Sequence, residues 1–256
     1  MVKMKILVTN DDGIQAPGLW ALAGRLAEVG EIVVFAPANE QSGVGTAISL
    51  HRSVGLAKAD SQLPGVEAFA VDGTPGDSVI LALEMMKDIG LVVSGINSGA
   101  NMGCDVLLSG TVGAALQGYI HGVPSMAVSV QARQDIRFDV AAKVAGLLAR
   151  RIFGNGTGPV LINVNVPNLP VHEIKGVDLT RVGKGGFSTA ITMGRDGSWD
   201  KYKISIGKPW WSADVGTDIH AVDNGRISIT PLQGELSTAE RTPFSQDMPD
   251  MLFREL

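Results

Sequence analysis

Short apolar runs alternate with helix-length amphipathic segments over the first two thirds of the chain, as strands buried on both faces and their covering helices do. The runs are Lys5 to Thr9, Ile32 to Ala36, Glu67 to Val71, Leu91 to Ser94, Ser125 to Val130 and Val160 to Asn165. Between them the spacing of apolar residues predicts helices over Gly18 to Glu28, Gly76 to Asp88, Thr111 to His121 and Asp139 to Phe153. Repetition of this kind folds into a parallel sheet with helices on both faces. Beyond Pro167 the texture changes: residues 168–225 are rich in glycine, with β-prone pieces such as Lys201 to Ile206 and no helical period. Arg226 to Thr230 supplies another strand, and Pro231 to Leu256 a polar tail. The expected class is α/β, a mostly parallel sheet in one domain, with a core over about 1–167 and a β-rich extension over about 168–256. The pair Trp210-Trp211 in that extension suits a subunit contact, and equally a cap on the sheet.

Four of the six strands run out into polar, glycine-bearing segments: TNDDG, APANEQSGVG, VDGTPGD and SGINSGANMG. In a parallel sheet such segments share the rim where ligands gather. The first carries Asp11 and Asp12, directly after Ile6-Leu7-Val8, where a nucleotide-binding turn would offer glycine amides. Two carboxylates there suit a cation. Hard divalent ions take oxygen ligands, and Asn39, Ser42, Asn97 and Asn101 on neighbouring loops offer them. Adjacent strand residues point to opposite faces, so the two acids share an ion only if the chain turns beside them, as Gly13 and Pro17-Gly18 permit. The competing reading is that Asp12 or Ser42 merely satisfies backbone donors in a turn or cap. Ser109-Gly110-Thr111, just before Val112-Gly113-Ala114-Ala115-Leu116, is a candidate phosphate site at the positive end of a helix, and equally a plain cap.

Composition narrows the classes. A net charge of -5 argues against a nucleic-acid polymer as main ligand. With 256 residues and 45% apolar content, one substantial core is expected. Cys104 is the single cysteine, which excludes an internal disulfide and any zinc site of CxxC type. Acids interrupt MVKMKILVTNDD before a signal-peptide core forms, and no stretch approaches the roughly 20 apolar residues of a membrane helix. A cytoplasmic protein without membrane contact is expected. His51, His121, His172 and His220 lack zinc-site spacing, and only His51, shortly after Ser42, is placed to act as a leaving-group acid.

The blocks LVTNDDGIQAPG, NEQSGVGTAISL, DGTPGD, LVVSGINSGANMGCDVLLSGTVGAA and ISITPL, in order between Ile6 and Leu232, resemble the SurE (survival protein E) family of 5'/3'-nucleotidases. INVNVP at Ile162 to Pro167 and TDIHAV at Thr217 to Val222 fit the same pattern. The resemblance implies a three-layer αβα Rossmann-like core and metal-dependent hydrolysis of nucleoside 5'- and 3'-monophosphates to nucleoside and phosphate. It adds short-chain polyphosphate as a substrate of some members, and homodimers or homotetramers joined through exchanged C-terminal segments. Carried onto this chain, the metal ligands fall on Asp11, Asp12, Ser42 and Asn97, around one divalent ion, Mg2+ or Mn2+, per subunit. On that reading Asp11 and Asp12 hold the ion, one of them also receiving a proton from the attacking water, while Asn101, Ser109, Gly110 and Thr111 orient the phosphate. A phosphoenzyme on Asp11 is the competing route, against which stands the absence of DxD spacing. Leu108 replaces the family's usual aromatic residue and Ser78 a frequent cysteine; neither is a proposed ligand. A nonenzymatic sensor of nucleotide or phosphate that uses the same rim is the alternative class.

Overall fold

The computed structural model describes residues 4–132, 134–154, 158–196 and 199–234; the expected polar tail lies outside them from residue 235 onward. In chain order the elements are β1 (Lys5–Thr9), α1 (Pro17–Leu26), β2 (Glu31–Pro37), β3 (Gly55–Lys58), β4 (Glu67–Asp72), α2 (Pro75–Met85), β5 (Ile89–Ser98) and a 3-10 turn (Gly103–Leu107). They continue as α3 (Gly110–Ile120), β6 (Ser125–Gln131), α4 (Phe138–Gly154), β7 (Leu161–Pro167), β8 (Val177–Leu179), β9 (Lys184–Asp196), β10 (Trp199–Ser212), α5 (Asp218–Asp223) and β11 (Ile227–Leu232). The nine-stranded sheet runs β3-β4-β2-β1-β5-β6-β7-β11-β8. Its six central strands, β4 to β7 in that order, are parallel. The chain moves outward from β1 through β2 to β4, then returns across β1 to β5. That reversal splits the helices between two faces and opens a crevice at the carboxyl ends of β1 and β5.

Strand alternation fills both faces. Ile6 and Val8 point into a core shared with Leu19, Leu22, Ala141 and Ala145 of α1 and α4. Leu7 points the other way, with Phe35, Val79 and Ala114, under α2 and α3. A Cβ on Gly18 would lie 2.2 Å from the Ile96 carbonyl oxygen, so α1 reaches its distance from β5 only because glycine stands there. The architecture is therefore an α/β layer structure around a mostly parallel sheet.

Two differences from the expected elements bear on the site. β5 continues four residues past Ser94 to Ser98, with Gly95 at φ +136 and a skip in its pairing with β6 between Gly95 and Asn97. Glycine and asparagine are poor strand formers, so the pattern ends before the strand does. The C-terminal third, expected to lack helix, contains α5, whose six residues are too few to show a period. β11 pairs antiparallel with β7 and parallel with β8, which joins this third to the main sheet. β9 and β10 form a separate antiparallel hairpin. Its base is fastened by the buried carboxylate of Asp218, which accepts from the backbone N–H of Gly103 at 3.0 Å, Gly183 at 2.8 Å and Ile219 at 2.8 Å. No helix among the described residues is long and apolar enough to cross a membrane.

Candidate active site

The turn after β1 is shaped by a residue that the pattern reading passed over. Buried Asn10 donates from Nδ2 to the Gly13 carbonyl at 3.0 Å and accepts from the Gly13 N–H at 3.2 Å. Gly13, at φ +98, closes this clasp in a conformation that favours glycine. The N-x-x-G spacing of an Asx turn was its signal in the sequence. With the chain bent there, Asp11 faces α3, where the Thr111 hydroxyl donates to its Oδ1. Asp12 faces β5, where the Ser98 N–H donates to its Oδ2 at 3.2 Å.

Both carboxylates carry an unfavourable charge. Asp11 is 3% exposed. Burial pushes its carboxyl up to about 6, against the hydrogen bond from Thr111 and with added repulsion from Asp12. Asp12 is likewise pushed up, first by burial and then by the charge of Glu40, while the Ser98 hydrogen bond opposes. Among the described residues no ion pair reaches either acid. Nor do three or more His, Cys, Asp or Glu residues gather as a metal cluster among them. Buried negative charge without a cationic partner is costly, and a bound cation relieves it. The donor set thus fits a hard ion held by two carboxylates and completed by neutral oxygens.

The neutral candidates differ in placement. The Gln41 N–H donates to the Asp11 carbonyl at 2.7 Å and anchors the second loop beside the acids. Ser42, next in that loop, is exposed, and its hydroxyl donates to Glu40 Oε1 at 2.8 Å. Farther along, Asp77 accepts from the N–H and hydroxyl of Ser49, both at 2.8 Å, and ties the loop to the start of α2. Asn97 is buried, and its Nδ2 donates to the Gly99 carbonyl at 2.7 Å, which turns its amide oxygen the other way. Asn101 sits in a polar lock. Its N–H donates to Asn165 Oδ1 at 2.8 Å, its Nδ2 to Ser129 Oγ at 2.9 Å, and its carbonyl accepts from Asn163 and Asn165. These bonds hold the wall of the crevice, and none of the described hydrogen bonds joins Asn101 to the two acids.

The start of α3 is a capped helix end that lies against the first acid. Ser109 caps the helix, its Oγ accepting from the Val112 N–H at 3.1 Å. Gly110 brings the helix end against the first acid, for a Cβ there would lie 2.9 Å from Asp11 Cβ. Thr111 joins the two elements through its bond to Asp11. His51 and Cys104 are exposed.

A family profile described as Survival protein SurE matches residues 6–189. The 5'-nucleotidase SurE of Dehalococcoides mccartyi (strain CBDB1) is 44% identical over 239 residues, covering 91% of this chain and 90% of that protein. The 5'-nucleotidase SurE of Moorella thermoacetica is 44% identical over 241 residues, covering 91% of this chain and 92% of that one. The crystal structure of the SurE protein from Aquifex aeolicus aligns with a TM-score of 0.77 at 34% identity, over 98% of this chain and 100% of that chain.

Proposed function

Because the chain belongs to the SurE family, we propose that it is a nucleotidase, a phosphomonoesterase that releases phosphate from nucleoside 5'-monophosphates, with 3'-monophosphates and short-chain polyphosphate as further substrates. The observation that carries this reading is the pair Asp11-Asp12, the first buried and the second partly buried, at the sheet's reversal point without a cationic partner among the described residues. Asp11, Asp12, Ser42 and Asn97 are the residues that would hold one Mg2+ or Mn2+. A divalent ion bound there supplies charge neutralisation on the phosphoryl oxygens and an acidified water.

The chain's own groups do the rest. The N–H groups at the start of α3, with Ser109, Gly110 and Thr111, would orient the phosphate there, since a helix N-terminus favours negative charge. Thr111 keeps Asp11 from swinging away. As the water oxygen bonds to phosphorus, the ester P–O bond opposite breaks and the nucleoside leaves with that oxygen. One carboxylate of the pair receives the water's proton, and the leaving nucleoside oxygen takes up a proton in turn, from that carboxyl group or from solvent water. The lock around Asn101 keeps the loop after β5 in register, and with Ser109, Gly110 and Thr111 it is proposed to orient the phosphate.

For the whole protein the reading is one SurE-like unit, with a core of about 1–167 and an arm of about 168–256 that joins subunits in a homodimer or homotetramer. The hairpin supports it: Ile191 lies opposite Ile204 and Met193 opposite Tyr202, all four exposed on one face. A single cysteine suits the cytoplasm.

Phosphate release from a panel of 5'- and 3'-mononucleotides, with and without Mn2+ or Mg2+, tests the reading. Metal-dependent release is expected, and Asp11→Asn and Asp12→Asn are each expected to reduce it by roughly a hundredfold or more. Release that ignores metal, or survives both substitutions, would refute the site. No release from any monoester would favour the sensor class instead.

A further inference from the structure

Of the candidate ion ligands Asp11, Asp12, Ser42 and Asn97, only Ser42 is exposed. A serine hydroxyl is neutral, carries one hydrogen and two lone pairs, and rotates about its C–O bond. To serve a cation it must turn that hydrogen away, and exposure alone gives it no reason to do so. Glu40 gives it one. The Ser42 hydroxyl donates to Glu40 Oε1 at 2.8 Å, which commits the hydrogen to the carboxylate and leaves both lone pairs free. An ionised acceptor also makes this bond charge-assisted and the hydroxyl oxygen a stronger donor to a metal, as outer carboxylates do for other ligating side chains.

The carboxylate stands on a fixed base, although its side chain is exposed. The Ile14 N–H donates to the Pro37 carbonyl at 2.8 Å and the Gln41 N–H to the Asp11 carbonyl at 2.7 Å, so the chain around Glu40 is fastened along the turn that carries both acids. A Cβ on Gly13 would lie 3.4 Å from the Asn39 carbonyl carbon and 3.5 Å from the Glu40 nitrogen, which puts the Glu40 backbone directly against that turn. The charge of Glu40 is felt by Asp12, whose carboxyl it helps to push up. No Lys, Arg or His forms an ion pair with Glu40 among the described residues. The loop itself has other fastenings, from Asp77 to Ser49 and from Gln41 to Asp11.

We propose that Glu40 is a positioning residue for the cation site: without ligating the ion itself, it holds the hydrogen of Ser42 away from the ion that Asp11, Asp12, Ser42 and Asn97 would bind. The inference rests on the metal-dependent reading above and adds a third carboxylate that sets how tightly the ion is held. Asp11, Asp12 and Glu40 do not gather as a metal cluster of three acids, which keeps Glu40 outside the ligand set.

The test measures Mn2+ binding directly, from the electron paramagnetic resonance of the free ion, in the unaltered protein, Glu40→Ala, Glu40→Gln, Ser42→Ala and the double alanine variant. Titration in about 1 M KCl, where the Debye length falls to about 3 Å, removes the long-range attraction of an exposed carboxylate. Glu40→Ala is expected to weaken binding roughly tenfold, as loss of an outer-shell partner does. Glu40→Gln, whose amide oxygen still accepts from the hydroxyl, is expected to restore most of that loss. Ser42→Ala should weaken binding at least as much as Glu40→Ala, and combining the two should add nothing, because no hydroxyl then remains to be held. Unchanged affinity in Glu40→Ala overturns the proposal, as does a Glu40→Gln variant as weak as Glu40→Ala. Losses that add in the double variant overturn it too, since Glu40 would then act without Ser42. A mere loop staple would lower the metal-free Tm of Glu40→Ala and leave its Mn2+ affinity intact, again against the proposal. If the unaltered protein binds no Mn2+, the metal-dependent reading fails and the role of Glu40 with it. If it binds Mn2+ and Glu40→Ala binds equally well, that reading stands and only the role of Glu40 falls.

Discussion

Asp11 shows how one residue's environment sets both stability and chemistry. Its carboxyl is pushed up from an ordinary 3.8 to about 6, chiefly by burial. In the metal-free protein the penalty for ionising it is absent below the unfolded value, grows through that window as pH rises, and is complete above the folded value, worth on the order of 3 kcal/mol. Asp11→Asn is therefore expected to raise the metal-free Tm at neutral pH by about 5–10 °C and to abolish the rise that Mn2+ produces in the unaltered protein. Thermal scans with and without the ion check both, and a lower Tm in the variant would contradict the account. Gly110 is the companion case. A methyl group there would lie 2.9 Å from Asp11 Cβ and 3.2 Å from Pro75 Cγ. Gly110→Ala should displace Asp11 and reduce phosphate release by roughly a hundredfold while the fold persists, as steady-state kinetics beside circular dichroism will show.

At the scale of elements, α2 does more than cover the sheet. Thr74 and Asp77 form a reciprocal capping box at its start, and Asp77 also holds Ser49 of the loop that carries Ser42. Burial pushes the Asp77 carboxyl up, but hydrogen bonds from Ser49 and Thr74 outweigh it and leave it below the ordinary carboxylate value. With a lowered folded value, its contribution is present above the unfolded value and is lost as pH falls through the folded one. Asp77→Ala removes cap and tether together and is expected to cost about 2–3 kcal/mol in urea denaturation at neutral pH. The same variant should be cut by protease within residues 38–54 before the sheet unfolds. An uncut loop would separate the cap from the tether. The T-x-x-D spacing of this box was visible in DGTPGD, but its reach to Ser49 was not, because that bond crosses 28 residues.

For the whole molecule, sheet order decides where the chemistry lies. The reversal between β1 and β5 makes the loops after them neighbours, and the second loop is anchored there by Gln41. The hairpin exposes Ile191, Met193, Tyr202 and Ile204 on one face. Apolar faces of this kind are usually covered by a partner. Light scattering is expected to give a dimer or tetramer for the unaltered protein and a smaller species for Ile204→Glu. A monomer at the outset, or an unchanged mass in the variant, would contradict assembly through the hairpin.

The amino-acid sequence by itself determined the succession of six buried strands and their helices, because strands covered on both faces must be continuously apolar. It also showed the residue types at the rim, Asp11-Asp12 above all, and it carried the family resemblance. Tertiary structure decided how those residues meet. Asp11 reaches Thr111 across 100 residues, Asp12 reaches Ser98 across 86, and Asp218 reaches Gly103 across 115. Such contacts depend on strand order and register, which a local hydrophobic pattern does not encode. The same limit explains the longer β5 and the placement of Asn101 in the wall. Each exists because segments remote in the chain are brought to one sheet edge, where burial raises the energy of a bare carboxylate and makes a bound cation its counterpart.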